Sequence, residues 1–196
     1  MGTSANTALL QPPAVTPGQA RHLRARAVRV AGWLEEVWAG VEKAPVFTWA
    51  SLSSLPSWAL GTPAELERLA LLCGALFAAP ALRVCLDAGP LLRVRGLIGA
   101  DALDRVLAVP GLPPVAPPWP THQDGERDTL WAWGSALMVA SMPDPPLRAS
   151  LAQMLSCPVD EASLLPTSVA VRMVGLAHQI LTTPAASAAA GEERLS

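Results

Sequence analysis

The chain has 196 residues, of which 51% are hydrophobic and only 15% charged, with 20 prolines, 14 glycines and no tyrosine. That length supports a self-sufficient core, and so much apolar content excludes a wholly disordered chain. Its 14 basic and 16 acidic residues leave a net charge of −2, so no overall field draws the protein to nucleic acid.

Residues 1–15 mix Thr, Ser, Ala and Pro without period and read as a flexible tail. Thr16 is placed to cap a helix with Pro17 at its first position and Gln19 as capping-box partner. Leu23, Ala27, Val30, Leu34, Val37 and Val41 follow at alternating spacings of four and three, the stripe of an amphipathic helix that runs to Val41. Trp33 and Trp38 flank the stripe, while Arg21, His22, Arg24, Arg29, Glu35, Glu36 and Lys43 lie opposite it. Residues 44–61 read as irregular, with Trp49, Trp58, a serine cluster and room for a short helical turn.

Thr62-Pro63-Ala64-Glu65 opens a second strong helix, again with a cap, a first-turn proline and a box glutamate. This helix is nearly apolar all round over 69–79, which places it at the centre of the core. Pro80, Gly89-Pro90 and Gly99 are expected to break the next stretch into short helices at 81–86, 91–98 and 101–109. In that scheme Asp87 is a turn residue and Asp101 a helix cap. Six prolines within 110–120 make 110–125 a proline-rich connector of extended, polyproline-like form.

Further helices are predicted at 127–142, from Asp144-Pro145-Pro146 through Leu155, and at 168–181; residues 183–196 read as a second flexible tail. No segment alternates apolar and polar residues, so strands are not expected. The fold class is therefore all-α, an irregular bundle of about seven helices. An N-terminal helical part (16–109) and a C-terminal one (126–182) flank the connector, which would hold them at a set separation.

The uncharged apolar runs within predicted helices, 69–82 and 129–143, fall short of the ~20 residues that cross a bilayer, so membrane insertion is not expected. The N-terminal residues lack a signal-peptide layout. Cys73, Cys85 and Cys157 read as buried free thiols of a reducing, cytoplasmic compartment, with no CxxC or HxxxH pair to hold zinc. His22, His122 and His178 sit in no triad signature, and structure accounts for Asp87 and Asp101, leaving no catalytic residue to assign. Gly96-Leu97-Ile98-Gly99 is not a phosphate loop, and neither a cofactor nor a metal is implied.

Two features point outward. Arg21, Arg24, Arg26 and Arg29 cluster at one end of the first helix, either as a solvated face or as a surface for an acidic partner protein. Of seven tryptophans, Trp33, Trp131 and Trp133 belong to helices and the core. Trp49, Trp58 and Trp119 lie in proline-bearing loops, where an indole either plugs the domain or meets a partner. Arg21, Arg24, Arg29, Trp49, Trp58 and Trp119 are thus the candidate partner-binding residues.

Leu55-Pro56-Ser57-Trp58, the apolar helix ending Ala79-Pro80-Ala81-Leu82-Arg83, Asp87 before Gly89, and Leu97-Ile98-Gly99-Ala100-Asp101-Ala102-Leu103 with Leu107 behind form a recognisable series. This stretch, 55–109, resembles the SctK family (YscK, PscK and OrgA types), the sorting-platform accessory proteins of bacterial type III secretion systems. A weaker echo follows at Gly134, Leu137, Pro143 and Leu147-Arg148. Family members often finish with a basic, leucine-rich segment running into a proline, whereas 153–158 here has no basic residue. The resemblance implies a non-enzymatic, cytoplasmic adaptor peripheral to the inner-membrane basal body. Such an adaptor joins the cytoplasmic domain of the ring protein SctD to the SctQ pods, which carry SctL and the ATPase SctN. The alternative expectation is a helical ligand-binding module or small helical enzyme, which a pocket lined by His178 with Asp or Arg side chains would favour.

Overall fold

The computed structural model describes residues 16–38, 48–85, 87–112, 125–157 and 166–183. Regular structure among them is all helical, a multi-helix all-α fold. The order is α1 (Pro17–Trp38), α2 (Trp49–Ser54), a 3₁₀ turn (Ser57–Leu60), α3 (Pro63–Arg83), α4 (Ala88–Ile98), α5 (Ala100–Ala108), α6 (Glu126–Ser141), α7 (Pro145–Met154) and α8 (Thr167–Thr182). The expected continuation of the first helix to Val41, connector residues 113–124 and most of both tails lie outside the described residues.

Local chemistry sets the helix starts. At α1 the Thr16 N–H donates to Gln19 Oε1 at 2.8 Å, and Gln19 N–H donates to Thr16 Oγ1 at 3.3 Å. The same reciprocal box opens α3, between Thr62 and Glu65. Asp144 caps α7, its Oδ1 accepting from Leu147 N–H at 3.1 Å, and each such cap contributes about 1 kcal/mol.

Three expectations about the middle of the chain are corrected. Pro80 does not end a helix: α3 runs through it to Arg83, so residues 81–83 belong to α3 and not to a new helix. Proline removes one intrahelical hydrogen bond, but Ala78, Ala79 and Leu82 around it are buried, and that packing holds the turn. The helix expected to open after Gly89-Pro90, at Leu91, starts earlier, at Ala88, and takes the pair into its first turn. Asp87 Oδ1 accepts from Gly89 N–H at 2.9 Å, and Pro90 sits in the first turn of α4, where an N–H has no intrahelical partner. Asp101 is not a cap; Gly99 occupies that place with φ +91°, a conformation glycine adopts without strain, and joins α4 directly to α5.

The core is organised around α3 and α6, which cross backbone to backbone. A Cβ added to Gly74 of α3 would fall on the Leu130 carbonyl of α6, and one added to Gly134 would fall on the Ala70 carbonyl. The α8 helix packs across both, α4 and α5 flank α3, α7 lies on α6, and α1 rests chiefly on α7 and α2. Leu69, Leu72, Leu76, Leu82, Leu130, Leu137 and Met138 are fully buried at this centre, each contributing about 2 kcal/mol by removal from water. Phe77 meets Trp133 edge-on, ring centroids 5.8 Å apart. The described helices before and after 113–124 thus share one core: α3 and α6 make the most extensive contact among the described elements.

Candidate interaction surface

Of the arginines at the start of α1, Arg21 and Arg24 are exposed as expected. On a helix, positions 21, 24 and 28 fall within one narrow arc, so these guanidiniums flank Val28, which is 74% exposed. Val30, nearly opposite Val28 on the helix, is buried. Arg26 has a different role: its Nη1 donates to the carbonyls of Leu52 at 3.2 Å and Ser53 at 2.8 Å, fastening α1 to the end of α2. The side chains of Arg29 and Trp49, and the whole of Trp119, lie outside the described residues. Trp58 is 9% exposed, packed within the core by the 3₁₀ turn, so its indole offers a partner little surface. Trp131 and Trp133 are half-buried against the core.

The arginine of α1 is one case of a pattern that sequence reading missed. Arg83 at the end of α3 donates from Nε to Leu107 O at 2.9 Å and from Nη2 to Val109 O, closing the end of α5. Arg105 Nη1 reaches Ile180 O at 3.1 Å and Thr183 O at 2.8 Å, closing α8. Arg148 holds Met142 O just past α6. A guanidinium suits these places because the last carbonyls of a helix lack partners and carry partial negative charge. Ser51 Oγ donates to Asp144 Oδ2 at 2.7 Å, so the cap of α7 also anchors α2. Glu126, 4% exposed, takes Arg93 Nε at 2.6 and 2.7 Å, tying α6 to α4, and Arg127 pairs with Glu67. No sequence signal marks these pairs, because their partners lie up to 93 residues apart along the chain.

A solvent-open hollow of about 560 Å³ lies between the 3₁₀ turn, the first half of α3 and the end of α8, lined by Trp58, Leu60, Glu65, Arg68, Leu69 and His178. His178 and Arg68 both line it, as the alternative expectation asked of a pocket. The thiol of Cys73 is fully buried, and desolvation pushes it well above the usual thiol range, so it stays protonated and unreactive. Among the described residues no group of three or more His, Cys, Asp or Glu side chains could hold a metal ion, and no helix is long and apolar enough to cross a membrane.

Compared with protein-family models, curated proteins and solved structures, the chain matches none.

Proposed function

We propose that this chain is a non-enzymatic adaptor of a type III secretion apparatus, linking the cytoplasmic domain of the SctD ring protein to the SctQ pods on the cytoplasmic side of the inner membrane. The observation that carries the reading is the SctK resemblance over 55–109. The residues behind it include the two breaks that shape this part of the chain: Asp87 before Gly89 caps α4, and Gly99 joins α4 to α5. In this reading the outer face of α1, with Arg21 and Arg24 around Val28, docks an acidic partner surface; α1 rests chiefly on α7 and α2 and leaves that face open. Docking, with no chemical step, is the mechanism.

Co-purification with the SctD cytoplasmic domain and with SctQ from the same genome tests this. Binding to at least one is expected, weakened by Arg21→Glu/Arg24→Glu; binding to neither overturns the reading. Secretion-ATPase and ring-protein genes beside this reading frame would support it.

A second reading, a helical ligand-binding module, is favoured by the hollow that brings Arg68 and His178 together. A thermal-shift screen of small carboxylates separates the two: a saturable rise in melting temperature that Arg68→Gln removes supports the module.

A further inference from the structure

The 560 Å³ hollow is one of three that meet at a single side chain. A second, of about 390 Å³, opens between Arg68, the α4–α5 junction, Arg105 and the end of α8. A third, of about 290 Å³, lies between Arg68, Leu71, Leu97 and Ile98. Together they form a depression around Arg68 with Trp58, Leu69, Leu181, Leu97 and Ile98 in its walls.

The charges around this depression are unequally satisfied. Glu65 accepts from Thr62 N–H at 2.7 Å and Thr62 Oγ1 at 3.0 Å, and Glu67 pairs with Arg127. Arg105 is committed to the carbonyls that end α8. Asp101 stands in the first turn of α5, where the positive end of the helix offsets its charge. Among the cations here, Arg68 has neither a counter-charge nor a side-chain hydrogen bond within the described residues, and it stands where all three hollows meet. A guanidinium presents a planar fork matched to a carboxylate, and Arg68 is exposed at the meeting point of the hollows, free to offer it.

We propose that this depression is a docking site for a short acidic-apolar peptide segment of a partner protein, one carboxylate resting on Arg68 and a flanking apolar side chain entering the hollow beside the half-buried Leu60 and Leu181. Its shape favours a polypeptide over a small molecule. Small-molecule sites enclose most of their ligand, whereas these hollows are open and distributed around one cation, so that a chain crossing Arg68 can use more than one. The inference is independent of the secretion reading, since it names the chemistry of the segment and not its owner.

The test uses the full chain labelled with ¹⁵N and two synthetic probes, acetyl-Leu-Glu-Asp-Leu-amide and its uncharged counterpart acetyl-Leu-Gln-Asn-Leu-amide, with the arginine side-chain Nε–Hε signals as readout. The acidic peptide is expected to shift the Arg68 signal saturably and to bind about tenfold more tightly than the amide peptide, the difference made by one charge-assisted contact. Arg68→Gln, an exposed substitution whose backbone spectrum checks folding, is expected to abolish binding; Arg21→Glu/Arg24→Glu should leave it unchanged. Equal binding of the two peptides overturns the proposal, as does an equal response at Arg95 and Arg172, or no saturable shift. A change in the Arg68 signal on Glu192→Gln/Glu193→Gln without peptide also overturns it, because the chain's own residues would then be the occupant.

Discussion

At the scale of single residues, the tightest constraint falls on two glycines. A methyl group at Gly74 or Gly134 would coincide with a main-chain carbonyl of the opposite helix, and backbone cannot step aside as a flexible side chain can. Gly134→Ala is therefore expected to destabilise the protein by about 3 kcal/mol, read as a fall of roughly 6–12 °C in Tm by circular dichroism. Gly96→Ala, where an added Cβ meets nothing within 4 Å, serves as the control, and it should leave Tm unchanged or raise it. A second asymmetry lies in the Arg93–Glu126 pair, whose side chains are 38% and 4% exposed. Arg93→Ala strands a buried carboxylate and is expected to cost about 3 kcal/mol, whereas Glu126→Ala leaves a guanidinium that can turn to water and costs about 1 kcal/mol. Urea midpoints of the two variants would show the order, and equal losses would contradict this account of the pair.

At the scale of helices, Arg105 is expected to govern the last turn of α8 from outside it. Arg105→Gln should raise amide exchange in that turn about tenfold, since a charge-assisted hydrogen bond contributes roughly 1.5 kcal/mol, while exchange in the middle of α3 stays unchanged. This contrast also marks where sequence reading succeeds. The starts of α1, α3 and α7 were legible because their capping partners lie three residues away, within reach of a local rule. Pro80 was misread because the rule against proline in a helix is local, whereas packing from elsewhere decides whether the helix survives it. Asp101 was misread because the backbone turn at Gly99 took the cap position two residues earlier than the side chain suggested. The candidate surface was legible only in part. Arg21 and Arg24 are exposed as their spacing implied, but the arginine closures and the depression around Arg68 are assembled by helices distant in sequence, which no spacing encodes.

At the scale of the whole molecule, the α3–α6 crossing makes the parts before and after the connector interdependent. A protease site engineered within 113–124 and cut in the native protein is expected to leave two fragments that still co-elute at the size of the intact chain on gel filtration. Separation of the fragments without denaturant would contradict a shared core. The position of α1 has a mechanical consequence. Because this helix rests chiefly on α7 and α2, a pull applied to its outer face passes first into those two short helices and not into the central crossing. Stretched in an optical trap, the molecule would give way there at low force, peeling α1 off as a fuse while the remainder stays intact until a second, higher rupture.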